Sequence, residues 1–213
     1  YAATGVLAGG GSSQVTPVGG VAAVIPTEMH RLTNRAVGQA LIPSSPVESL
    51  KALLPNTKIT FDPGYDTPLS AARAARADLV IVFATKWQTE GADTGDLLLP
   101  GGQNELIAAL TKANRNTLIV LETGNPVLMP WLADVRAVVQ AWYPGQKGGE
   151  AIADVLSGVL NPSGRLPMTF PAGVEQLPRP VLDGFGLADR SDVAVNYIEG
   201  SDVGYRWYAA KQH

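Results

Sequence analysis

Residues 79–100 decide the fold of this chain, and they read LVIVFATKWQTEGADTGDLLLP. The first six residues are apolar without alternation, which is typical of a strand that is buried on both faces of a parallel sheet. The segment that follows, Lys86 to Pro100, holds three carboxylates and a tryptophan among small residues that cannot bury them. We therefore predict a strand followed by a loop at the carboxyl edge of a parallel sheet, where the loop presents Glu90 to something outside this chain.

Strand and helix signals alternate on both sides of this stretch. Continuous apolar runs predict buried strands, and apolar residues spaced three and four apart predict helices. The predicted strands are Lys58–Phe61, Leu79–Ala84, Thr117–Leu121, Ala137–Trp142 and an edge strand Arg165–Phe170, and the predicted helices are Ser45–Leu54, Leu69–Ala77, Gln103–Ala113 and Gly148–Val159. This order predicts one α/β domain over residues 1–213: a three-layer sandwich of a mostly parallel sheet flanked by helices, with an antiparallel edge strand.

Composition excludes several classes of function. The chain has 213 residues, of which 46% are hydrophobic and 16% charged, as expected of a globular protein with a sizeable core. A net charge of -3 argues against a nucleic-acid partner, and no run of 18 apolar residues is present that could span a membrane. Cysteine is absent, which excludes a disulfide framework and a thiolate metal site. Nothing else in the sequence predicts a metal site or a cofactor.

The candidate functional residues lie in the loop after the first buried strand. Glu90 suits acid–base chemistry, cation binding or hydrogen bonding to sugar hydroxyls, and the alternative is a solvated or loop-fixing carboxylate. Asp93 is interpreted as a loop anchor, because a short acceptor before Thr94 and Gly95 favours a turn. Trp87 offers an aromatic face on which a sugar ring can stack.

A second candidate segment is the glycine-serine cluster Gly9–Gln14. Its backbone amides, together with Ser12, Ser13 and Gln14, suit an anion or a sugar hydroxyl, and the alternative is a tight connection between elements. The Gly-Lys-Ser/Thr ending of a phosphate loop is missing, which argues against a nucleotide-binding domain.

Several short motifs stand along the chain in a definite order. They are Gly9–Val15, Thr89–Asp93 with Leu97–Pro100 and Gln103, Ala141–Gln146 with Gly148–Ala151, Asn161–Pro167, and Val203–Tyr208. Together they cover most of the chain, and they resemble the motifs of the second domain of glycoside hydrolase family 3. One position departs from the pattern: many members have an arginine where this chain has Thr94, so a salt bridge that fixes the loop is in question.

The resemblance implies the α/β sandwich domain of a retaining β-glucosidase or exo-glucanase. In such enzymes a TIM-like barrel carries the aspartate nucleophile, and the sandwich domain supplies the glutamate that acts as acid and base. The matching motif implies that this glutamate is Glu90 here. Trp87, Ser12, Ser13 and Gln14 would then line the sugar cleft.

The Ser-Asp-Trp signature of the barrel is absent, so we expect this chain to be one domain of a longer enzyme and to be inactive alone. Residues 171–213 would contact the barrel. The family also implies a β-glucoside or β-gluco-oligosaccharide substrate and a periplasmic or secreted location. The alternative function is a non-catalytic carbohydrate-binding or scaffold domain.

Overall fold

A computed structural model describes residues 3–6, 8–10, 18–21, 23–30, 35–90, 94–181, 183–184 and 192–213. The strands are β1 (Gly5–Val6), β2 (Ala23–His30), β3 (Arg35–Ile42), β4 (Val80–Lys86), β5 (Thr117–Thr123) and β6 (Ala137–Gln140). The helices are α1 (Pro46–Leu53), α2 (Thr67–Ala74), α3 (Gln103–Ala113), α4 (Gly148–Ser157) and α5 (Tyr205–Lys211), with short 3-10 turns at Leu132–Asp134 and Val174–Gln176.

The parallel sheet has the strand order β4-β5-β6, with Lys86 of β4 in register with Thr123 of β5. β5 is the central strand, and its residues from Ile119 to Thr123 are buried. The predicted α/β class, with a parallel sheet flanked by helices, is confirmed. β4 was expected to be buried on both faces, but Val80–Phe83 is only half-buried, because β4 lies at the edge of the described sheet.

The helices pack in pairs, α2 with α3 and α1 with α4; α3 also contacts β4, and α4 contacts β1. α3 sends Ile107 into a core that also contains Leu121 and Trp131. The indole N–H of Trp131 donates to Asn104 Oδ1 at 2.9 Å, so this large ring is buried without leaving its polar atom unpaired. α1 begins as the sequence predicts, with the Ser45 hydroxyl accepting from the amide of Glu48 and a proline in the first turn.

Antiparallel pairing occurs in a separate three-stranded sheet, ordered β1-β3-β2, and not at the edge of the parallel sheet. The sequence did not indicate β2 or β3, since Pro26 interrupts the pattern. The register of the pair shifts between Pro26 and Glu28, and such an irregularity is where a strand tolerates proline.

Two predicted strands are wrong. Lys58–Phe61 and Arg165–Phe170 have no strand pairing, and both are largely exposed. Phe61 is 44% exposed and Leu166 is 58% exposed, so neither run buries the apolar face that would hold it in a sheet. β propensity without a partner strand therefore did not produce a strand here.

Candidate active site

Two loops leave the carboxyl edge of the parallel sheet side by side. β4 ends at Lys86 and β5 ends at Thr123, and these two residues are paired in register. The chain then enters the Glu90 loop after β4 and the Gly124–Pro126 turn after β5. Parallel strands end at a common edge, so the predicted position of the carboxylate-rich loop is confirmed.

The Tyr143 phenol fixes the start of the Glu90 loop. Its hydroxyl donates to the carbonyl of Lys86 at 2.9 Å and accepts from the amide of Gln88 at 2.8 Å. Burial raises the pKa of Tyr143 to about 12, so the hydroxyl keeps the proton that it donates.

Glycines make room for this arrangement. The amide of Gly10 donates to the carbonyl of Gln88 at 3.2 Å, and Gly10 forms an isolated parallel bridge with Thr89. A side chain at Gly10 would collide with that of Thr89, and a Cβ at Gly124 would lie 2.9 Å from the Tyr143 hydroxyl. The absence of side chains at these positions lets three segments meet at the start of the loop.

Lys86 and Asp96 fix the other end of the loop. The ammonium of Lys86 donates to the Asp96 carboxylate at 2.8 Å and to its carbonyl at 2.7 Å. The Asp96 carboxylate also accepts from the amide of Leu98, and the Thr94 hydroxyl donates to the Asp96 carbonyl. The hydrogen bond from Lys86 is the main cause that lowers the pKa of Asp96. Lys86 thus contacts both ends of the loop, because its carbonyl binds Tyr143 and its side chain binds Asp96.

The segment after Asp96 is fixed to the sheet by Gln103. The Gln103 amide oxygen accepts from the N–H of Thr85, and its amide nitrogen donates to the carbonyls of Thr85 and Pro100. Leu99, only 5% exposed, packs into the core beside Ile107. The Leu-Pro and glutamine positions of the motif therefore hold the end of the loop on the edge strand.

The predicted site residues have different outcomes. Glu90 is exposed, in a turn two residues beyond the Tyr143 contact. Trp87 is half-buried with its ring edge against Gly10, and its indole N–H has no hydrogen-bond partner within the described part of the chain. Ser12, Ser13, Gln14 and Asp93 lie outside the described residues. The cleft roles of Ser12, Ser13, Gln14 and Trp87 and the loop-anchoring role of Asp93 stay predictions.

Sequence reasoning missed Glu122, which the pattern placed in a turn. Glu122 lies in β5, in register with Thr85, and its side chain is 0% exposed. Neither carboxyl oxygen has a hydrogen-bond partner among the described residues. Burial raises the pKa of Glu122 to about 7. The available signal was an acidic residue directly after the apolar run Leu118–Leu121.

Among the described residues, no three His, Cys, Asp or Glu side chains converge in a way that would hold a metal ion. In the same part of the chain, none of the helices combines the length and the apolar character that crossing a membrane requires.

The family of the chain follows from a match to a family model. Residues 1–205 match the glycosyl hydrolase family 3 C-terminal domain. The chain belongs to this family. The motif that contains Glu90 and the α/β architecture thus lie in the C-terminal domain of a family 3 glycosyl hydrolase, as the resemblance implied.

Known members of the family are similar to this chain over most of its length. It is 43% identical over 159 residues to a beta-glucosidase of Rhizobium radiobacter and 49% identical over 144 residues to beta-glucosidase B of Emericella nidulans. These alignments cover 70% and 63% of this chain but 19% and 17% of the relatives. The crystal structure of the Kluyveromyces marxianus beta-glucosidase in complex with glucose matches with a TM-score of 0.63 and 39% identity, over 73% of this chain and 18% of that one. The chain thus spans less than a fifth of these relatives.

Proposed function

We propose that this chain supplies the general acid/base and part of the sugar-binding cleft of a retaining β-glucosidase. The observation that carries the proposal is the position of Glu90, an exposed carboxylate on a loop whose two ends are fixed to the carboxyl edge of the sheet. The relatives named above as beta-glucosidases support the substrate class. The barrel that carries the nucleophile would belong to the same enzyme.

The reaction would proceed in two steps that use Glu90 in both of its protonation states. In the first step, the nucleophile attacks the anomeric carbon while the Glu90 carboxylic acid protonates the departing glycosidic oxygen. In the second step, the Glu90 carboxylate removes a proton from water as the water oxygen attacks the anomeric carbon and releases the nucleophile. The barrel would cover the exposed carboxylate and exclude water, which favours its protonated form before the first step.

The segment 171–213 is the proposed contact with the barrel. It is braced internally: the Trp207 indole donates to the carbonyl of Gln176 at 2.9 Å, and Arg179 lies 4.8 Å from the centre of the Tyr197 ring. It nevertheless exposes large hydrophobic side chains to solvent, namely Val181, Val195, Tyr197, Ile198, Val203 and Tyr205. The number of large apolar side chains that this short segment exposes supports its assignment as the surface that faces a protein partner.

The variant Glu90→Gln tests the acid role in the polypeptide that joins this domain to its barrel. We expect kcat/KM to fall by about 10²-fold to 10⁴-fold for phenyl β-glucoside and far less for dinitrophenyl β-glucoside, whose leaving group needs no proton. Azide should restore turnover of the dinitrophenyl substrate, because it attacks the glycosyl-enzyme without a base. Equal losses on the two substrates would refute the acid role.

A second measurement separates catalysis from simple sugar binding. The chain alone is expected to show no β-glucoside hydrolysis, since the proposed nucleophile lies on the barrel. Calorimetric titration of the chain with glucose and cello-oligosaccharides should give no measurable binding, because only part of the cleft is present. Saturable binding by the chain, combined with full activity of Glu90→Gln in the longer polypeptide, would favour a carbohydrate-binding domain instead.

A further inference from the structure

We propose that Tyr143 is the positioning residue for Glu90, so that its phenol sets where the acid/base stands relative to the glycosidic oxygen. The inference rests on the proposed function of Glu90. It is drawn from the contacts that a single hydroxyl group makes with Lys86 and Gln88, on either side of the point where the loop leaves β4.

The contacts of the hydroxyl lie where the loop leaves the sheet. One hydrogen bond goes to the carbonyl of Lys86, the last residue of β4, and one comes from the amide of Gln88, two residues before Glu90. Gly124, which follows β5, lies against the same hydroxyl, since a Cβ there would be 2.9 Å from it. The direction in which the backbone enters the Glu90 turn is therefore fixed relative to both strands.

A phenol suits this position because it donates and accepts at one atom. The Lys86 carbonyl needs a donor, while the amide of Gln88 needs an acceptor. A phenylalanine would keep the ring between Gly9 and Gly124 but would leave these two backbone groups without their partner. The glycines carry no side chains, so little else holds the ring at the right distance from the loop. Loss of the hydroxyl should therefore shift the loop rather than empty the core.

The other end of the loop does not duplicate this function. Lys86 and Asp96 join the loop to the sheet through a flexible side chain, at a carboxylate that is 61% exposed. That ion pair limits how far the loop can open, whereas the Tyr143 contacts act on the backbone next to Glu90. A small rotation at Gln88 displaces the Glu90 carboxyl, and a displacement of about 1 Å can cost about 10²-fold in rate.

The experiment compares Tyr143→Phe with Glu90→Gln in the polypeptide that contains the barrel. We expect Tyr143→Phe to lower kcat/KM for phenyl β-glucoside by up to about 10²-fold and for dinitrophenyl β-glucoside by only about threefold or less. KM for the dinitrophenyl substrate should stay near that of the wild type. Tyr65→Phe is the matched control, because Tyr65 is 93% exposed and the same hydroxyl is removed; it should leave both rates unchanged.

A second variant tests whether the effect of Tyr143→Phe comes from the position of the phenol or from a folding defect. Gly124→Ala places a Cβ 2.9 Å from the Tyr143 hydroxyl, so it displaces the phenol without deleting it and should give the same dependence on the leaving group. In the chain itself, hydrogen exchange of the Gln88 amide should accelerate about tenfold in Tyr143→Phe while the amides of the central strand β5 stay protected.

The outcomes separate the two hypotheses. Equal losses on both substrates in Tyr143→Phe, or unchanged kinetics, overturn the positioning role when Glu90→Gln still shows its dependence on the leaving group. If Glu90→Gln itself shows no such dependence, the acid role of Glu90 fails, and the positioning role fails with it.

Discussion

The buried carboxyl of Glu122 should make the stability of this chain fall as the pH rises. The variant Glu122→Gln replaces it with an amide of nearly the same shape that is neutral at every pH. In the folded chain burial raises the pKa of Glu122 from 4.5 to about 7. Between these two values the folded state keeps a proton that the unfolded state has released, so the folded state is favoured most at low pH.

The sign and the size of the effect follow from this difference. Stability from Glu122 is fully present below pH 4.5 and is lost as the pH rises through about 7, after which no further change occurs. The two pKa values differ by about 2.5, and each pKa unit corresponds to about 1.36 kcal/mol, so the free energy of unfolding should fall by about 3 kcal/mol. This change is a sizeable fraction of the free energy of unfolding of an ordinary domain, which is about 5–15 kcal/mol.

Urea unfolding followed by tryptophan fluorescence at pH 5, 6, 7 and 8 measures this. The free energy of unfolding of the wild type minus that of Glu122→Gln should decrease by about 2–3 kcal/mol across the series, because other titrating groups cancel in the difference. The free energy of unfolding of Glu122→Gln, relative to that of the wild type, should be highest at pH 8.

Asp96→Asn provides the matched control. Its hydrogen bond from Lys86 lowers the pKa of the Asp96 carboxyl below 3.8, so the stability it contributes is present above that value and is lost only at lower pH. The difference between wild type and Asp96→Asn should therefore stay constant from pH 5 to pH 8. Parallel curves for the wild type and Glu122→Gln over this range would refute the reasoning, since Glu122 would then be ionised or paired in the folded chain.

Two further predictions concern the end of the loop and the exposed C-terminal segment. Gln103→Ala removes the partner of the buried Thr85 amide and should cost about 1–3 kcal/mol in urea unfolding, whereas Gln146→Ala, which makes similar bonds to Val18 at an exposed position, should cost less than about 0.5 kcal/mol. Similar losses in the two variants would contradict this role of Gln103. Ile198→Ser combined with Val203→Ser should barely change the stability of the chain, because both side chains are more than half exposed, but should weaken its association with a separately produced barrel in a pull-down assay. Unchanged association would place the barrel contact elsewhere.

The parts of the fold that the sequence predicts well are those with a strong local pattern. α3 was predicted with its observed bounds, Gln103–Ala113, because its apolar residues repeat at helical spacing. β5 was predicted within two residues of its end, since Leu118–Leu121 is continuously apolar. The local signal fails where pairing decides the outcome, as in Lys58–Phe61, which has strand composition but no partner strand.

The candidate site likewise contains one residue that a local pattern predicts and others that depend on contacts distant in sequence. Glu90 was predicted from a local cluster of carboxylates in a loop, and its catalytic role stays a prediction. Tyr143 and Gln88 are 55 residues apart in sequence, and only the packing of the strand ends brings them together. Glu122 was misread because a glutamate before a turn is ordinarily solvated, and nothing local shows that this one is fully buried.

The threonine at position 94, where the chain departs from the family pattern, bears on how the loop is attached to the sheet. The family pattern described in the sequence analysis has an arginine at this position, so a salt bridge that fixes the loop was in question. Here Thr94 donates to the Asp96 carbonyl, while Lys86 supplies the cation that binds the Asp96 carboxylate. The Lys86 side chain is only 12% exposed and belongs to the last residue of the strand, so its charge is placed by the sheet and not by the loop. Because the cation that binds the Asp96 carboxylate comes from the end of the strand, the loop keeps this attachment to the sheet edge although residue 94 is not an arginine.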